Sequence, residues 1–143
     1  MEILIDNRQN LYPINKERIR KKTESILNAL ECPDGELSIL LVDDSRIAEL
    51  NKDYLGRSGP TNVIAFPMQE GQFDNINPYL LGDVVISMET ADREGKIGGI
   101  TTEERFNELL IHGILHLFGF DHEGTSEEAE RMEAKERELK KLL

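Results

Sequence analysis

The chain has no tryptophan, a single cysteine and only three histidines. One cysteine closes no intramolecular disulfide and builds no thiolate metal cluster, so neither an oxidising compartment nor a cysteine-rich zinc module is implied. Cys32 reads as a small buried or half-buried thiol. Long apolar runs are missing too, and none approaches the ~20 residues of a membrane-spanning helix. The N-terminal apolar run of Ile3, Leu4 and Ile5 is too short for a signal peptide, and Glu2 has the wrong charge for one. The expectation is a cytoplasmic protein with no membrane partner. Positive charge is scarce: 17 Lys and Arg against 28 Asp and Glu leave a formal net charge of −11. That balance works against non-specific binding to phosphate backbones. A role on nucleic acid must therefore rest on a local basic patch, a metal or a partner protein. Repeats, low-complexity tracts and linker-like composition shifts are absent, and 143 residues suffice for one well-filled core. The chain reads as a single domain over residues 1–143.

Periodicity supplies the elements. Residues 2–6 form a short strand. Residues 15–30 carry Ile19, Thr23, Ile26, Leu27 and Leu30 at helical spacing behind Asn15 as N-cap. Residues 36–44 form a strand, and residues 44–55 a helix that opens on Asp44 as its cap and turns Ile47, Leu50 and Tyr54 inward. A loop over 56–61 leads to a strand over 62–67, stopped by proline. Residues 68–82 lack periodicity and read as a surface loop, followed by a strand over 83–89. The clearest helix covers 101–118, with Thr101 and Glu104 as a capping box and Gly119 as terminator. A last helix spans 127–142, acidic in its first turn and basic in its last, with Ala129, Met132, Leu139 and Leu143 inward. The pattern is α/β-like or α+β, with one mixed sheet.

All three histidines fall within "HGILHLFGFDH", residues 112–122. Residues four apart on a helix are offset by about 40° around its axis, so His112 and His116 project side by side. The helix stops at Gly119, and the turn through Phe120 and Asp121 brings His122 back toward the same point. Neutral imidazoles suit Zn²⁺ at roughly 2.0–2.1 Å, and three protein ligands leave a fourth position open, the mark of a catalytic site. Water on such an ion has its pKa lowered to about 7. A lone histidine in an apolar helix is usually a satisfied core residue, but three histidines around a glycine terminator, and none elsewhere, favour one metal ion. Asp121 either orients an imidazole or caps the turn. The glutamate of an H-E-x-x-H metalloprotease, its general base, is replaced by Gly113. The site is metzincin-like in layout without the base for peptide hydrolysis.

"HGILHLFGFDH" resembles the signature H-G-x-L-H-L-x-G-Y/F-D-H of the YbeY family of bacterial endoribonucleases at every motif position. "YLGRSGPTNVIAFP" (residues 54–67) is similar to that family's "YRGKDxPT(D/N)VLSFP". "LLGDVVIS" (80–87) resembles its "LGD(I/L)xI" strand, and "EEAERMEAKE" (127–136) its C-terminal acidic helix. The resemblance implies an α+β, zincin-like fold: a small mixed sheet of about four strands packed with helices, its metal site on a central helix. It implies one zinc ion on His112, His116 and His122. It also implies a single-strand-specific, metal-dependent endoribonuclease acting in small-subunit ribosomal RNA 3′-end maturation and ribosome quality control. Single-stranded and ribosomal RNA, and the ribosome or its proteins, would be the partners.

The chain departs from the family pattern in one place that matters. The arginine of "YRG", thought to serve catalysis or RNA binding, falls on Leu55, and Ala65 replaces a serine. Arg57, two residues on, is the leading candidate to reach a substrate phosphate, against the reading of a solvated loop cation; Arg46, Arg93 and Lys96 are weaker ones. No general base is identifiable. The rival readings are a metal-dependent hydrolase of another substrate and a non-catalytic ribosome-assembly factor.

Overall fold

The computed structural model describes residues 2–68, 79–121 and 123–143. In chain order the elements are β1 (Ile3–Asn7), α1 (Lys16–Ala29), β2 (Glu36–Val42), α2 (Asp44–Leu55), β3 (Val63–Pro67), β4 (Leu80–Ser87), α3 (Met88–Gly98), α4 (Thr102–Leu117) and α5 (Ser126–Lys140). The four strands form one sheet in the order β1-β2-β4-β3. β1, β2 and β4 run parallel, and β3 pairs antiparallel with β4. This is the α+β arrangement with a small mixed sheet expected from the sequence.

Alternation along the strands divides the core in two. Ile39, Leu41, Val84 and Ile86 face the larger core, with Ile26 and Leu27 of α1, Leu110, Ile114 and Leu115 of α4, and Met132 and Leu139 of α5. Val42, Ile64 and Val85 face the other way and meet Ile47 and Leu50 of α2. β4 is apolar almost throughout because both of its faces are covered.

Four expectations need correction. β4 starts at Leu80, inside the segment read as loop; residues 69–78 of that segment lie outside the described residues. The following strand does not reach Glu89. The Ser87 side chain accepts a hydrogen bond from the Thr90 backbone N–H and so ends the strand as the N-cap of α3, a helix that periodicity missed. Asp43, not Asp44, caps α2. The freed Asp44 carboxylate instead accepts from Ser87 Oγ and Thr90 Oγ1, each at 2.6 Å, and from Arg93 at 3.2 Å. Burial pushes that carboxyl up, but these three hydrogen bonds and the Arg93 charge outweigh it and hold Asp44 below its ordinary range. Finally, Tyr54 is exposed rather than inward, its ring set edge-on to Phe66.

Candidate metal centre

α4 carries the first two histidines, and its placement begins at its caps. Thr101 Oγ1 accepts from the Glu104 N–H, and the Glu104 carboxylate accepts from the Thr101 N–H, closing the expected capping box. The other end closes as a Schellman turn: Gly119 N–H donates to His116 O and Phe120 N–H to Leu115 O. Gly119 has φ +89°, the left-handed conformation that this turn asks of its residue. Between the caps, nine residues of α4 are buried.

Gly113 stands where α4 crosses the sheet. A Cβ there would lie 2.6 Å from Val84 Cγ1 and 3.1 Å from Val63 Cγ2. The residue after His112 therefore faces β3 and β4 at a separation that admits no side chain. A glutamate placed as in H-E-x-x-H would have to displace Val84 and Val63, so glycine at this position suits the packing of α4 on the sheet.

His112 and His116 do meet. Their Nε2 atoms are 3.1 Å apart and the rings stand nearly perpendicular. Two nitrogens bound to one zinc at tetrahedral angles would be about 3.3–3.4 Å apart, so the pair is within a few tenths of an ångström of bidentate ligation. His122 lies outside the described residues. Among the described residues no set of three His, Cys, Asp or Glu side chains converges as a metal cage.

A further contact of His112 comes from α5 and is not legible in the sequence around the histidines. His112 Nδ1 lies 3.1 Å from Glu136 Oε2, both side chains being partly buried. A signal was present. Met132 and Leu139 are the two buried residues of α5, and Glu136 falls at the intervening helical position, so one carboxylate interrupts an apolar face. Asp121 accepts from the Glu123 N–H at 2.8 Å, a turn contact.

An open groove of about 600 Å³ runs over the pair, lined by His112, His116, Asp121 and Glu123 on one side and by Arg57 and strand β3 on the other. Arg57 is the one cation lining it among the described residues, and it makes no ion pair among them. Arg46, Arg93 and Lys96 are elsewhere, paired with Glu49, Asp44 and Asp92. Leu55 and Ala65, the two departures from the family pattern, both line the groove. α5 carries six glutamates against four cations, a net −2 of the −11.

The family model described as Endoribonuclease YbeY matches residues 4–143. The chain is 52% identical over 144 residues to an Endoribonuclease YbeY of Geobacter sulfurreducens, covering all of this chain and 96% of that one. It is 44% identical over 130 residues to an Endoribonuclease YbeY of Aquifex aeolicus, covering 91% of this chain and 82% of that one. Among solved structures it is similar to the solution structure of TM1509 from Thermotoga maritima, with a TM-score of 0.68 at 28% identity, over 96% of this chain and 86% of that one.

Proposed function

The chain belongs to the endoribonuclease YbeY family, and from that premise we propose that it cleaves single-stranded RNA with one zinc ion held by His112, His116 and His122. Its endoribonuclease activity follows from the family. The finer reading is a role in maturing the 3′ end of small-subunit ribosomal RNA and in ribosome quality control, in the cytoplasm and on the ribosome or its proteins. The observation that carries the metal reading is the Nε2 pair of His112 and His116, 3.1 Å apart at an open groove. The donor set fits: neutral imidazoles are good zinc ligands, and the partner of the His112 Nδ1 is a carboxylate, as is usual behind a metal-binding histidine. No helix among the described residues is long and apolar enough to cross a membrane.

When bound, zinc supplies Lewis acidity and lowers the pKa of a water. The chain's own residues do the rest. Arg57 holds a phosphate on the β3 side of the groove, where its guanidinium offsets charge developing on the phosphoryl oxygens. Asn62, just before β3, is held by bonds to Val63 and to Glu94 of α3. Its Oδ1 accepts from the Val63 N–H and its Nδ2 donates to the Glu94 carboxylate, which keeps the groove wall in place. The groove is open, so an unpaired strand enters it without closure.

The test combines metal analysis with cleavage of single-stranded and duplex RNA by wild type and His112→Ala. One equivalent of zinc and preference for the single strand are expected in wild type, with both zinc and cleavage lost in the variant. Cleavage by His112→Ala at the wild-type rate refutes the assignment. Zinc without any cleavage points to a structural metal in an assembly factor.

A further inference from the structure

We propose that Glu136 is a positioning residue for His112. Its carboxylate keeps the imidazole proton on Nδ1 and leaves the Nε2 lone pair directed at His116 and the groove. An ionised carboxylate only accepts hydrogen bonds. Glu136 Oε2 lies 3.1 Å from His112 Nδ1, so an ionised Glu136 makes His112 Nδ1 the donor. A neutral imidazole has one N–H, so Nε2 is then the acceptor nitrogen. That is the nitrogen facing His116 Nε2. A free neutral histidine carries its proton mostly on Nε2, the wrong tautomer for ligation through that atom. Glu136 reverses the preference.

The carboxylate is well held for this task. It sits one turn from Met132 and between it and Leu139, both fully buried. One turn further on, Lys140 pairs with Glu108 of α4. Among the described residues, His112 is the only side chain within hydrogen-bond or ion-pair distance of Glu136. The C-terminal helix thereby sets the protonation pattern of a side chain on another helix, 24 residues earlier in the chain.

The consequence for zinc rests on the metal reading above; the tautomer does not. Wild type, Glu136→Gln and Glu136→Ala are compared with Glu138→Ala, whose glutamate pairs with Lys135 on the exposed side of the same helix. Imidazole ¹⁵N spectra of the metal-free proteins in alkaline buffer should show the Nδ1–H tautomer of His112 in wild type and Glu138→Ala, and a shift toward Nε2–H in Glu136→Ala. Competition with a chromophoric chelator should show zinc affinity about 10–100-fold weaker in Glu136→Ala, intermediate in Glu136→Gln and unchanged in Glu138→Ala. Should Glu136→Ala fail to fold, the near-isosteric Glu136→Gln carries both comparisons. An Nε2–H tautomer in wild type overturns the proposal. So does unchanged zinc affinity without the carboxylate, or an equal loss in Glu138→Ala. Wild type that binds no zinc refutes the metal reading, and the tautomer spectra still decide the role of Glu136.

Discussion

Thr102 Oγ1 donates to Asp92 Oδ1 at 2.7 Å, across the turn that joins α3 to α4. The bond ties the first residue of the histidine-bearing helix to the helix before it. Hydrogen bonds from Thr102, then Lys96 and Tyr12, together with the Lys96 charge, lower the Asp92 carboxyl to about 2. In the unfolded chain it would titrate near 3.9, at about the ordinary aspartate value. The folded value is the lower one, so this stabilisation is complete above about pH 4 and is lost as pH falls through about 2. Urea unfolding of Asp92→Asn at a series of pH values should show a shallower decline in that window than wild type, by up to one proton. Identical slopes would mean that other carboxylates govern acid unfolding.

Gly113 predicts a packing defect. The tight approach to Val84 and Val63 leaves α4 no room for a methyl group unless the helix lifts from the sheet. Gly113→Ala should cost about 1–3 kcal/mol, the usual range for overpacking a filled core, despite the better helix propensity of alanine. Denaturant unfolding measures this directly. A stabilised Gly113→Ala protein would show that the helix rides further from the sheet than the Cβ distances require.

Arg57 predicts a salt signature. It is the cation lining the groove among the described residues, and a single-stranded nucleic acid releases about 0.7 counterion per phosphate neutralised. The slope of log KM against log salt concentration for RNA cleavage should therefore fall by about 0.7 in Arg57→Ala. Removing one charge-stabilising donor also typically lowers kcat, by about 10²-fold. Unchanged cleavage and an unchanged salt slope would make Arg57 a solvated loop cation and leave the place of the family arginine empty.

What was legible in the sequence was what local chemistry encodes. Asn15, Thr101 with Glu104, and Gly119 each act within a turn or two of their own position, and each does what its residue type suggests. The facing of His112 and His116 follows from helical spacing alone. α3 escaped because its start signal, Ser87, ends an apolar strand, and because its Ile97 is exposed, which erases the period. Tyr54 was misplaced for the related reason that spacing shows a face but not what covers it. Glu136 escaped because its meaning lies in another helix. Nothing within α5 says which residue of α4 its carboxylate will touch.

The two helices differ sharply in how firmly they are held, and the last prediction follows from that. α4 has nine buried residues, α5 only Met132 and Leu139. A helix with so little buried apolar surface opens locally at a lower free energy than the sheet and α4. Amide hydrogens of α5 should exchange faster than those of α4 in hydrogen-exchange mass spectrometry. Met132→Ala, a cavity worth about 2–5 kcal/mol, should speed α5 further while β2 and β4 keep their protection. Each opening of α5 carries Glu136 away from His112, so the same variant should release zinc faster without touching any ligand. If α5 exchanges together with the sheet, the helix belongs to one cooperative unit, and Met132→Ala should then lower the stability of the whole chain and the affinity for zinc together.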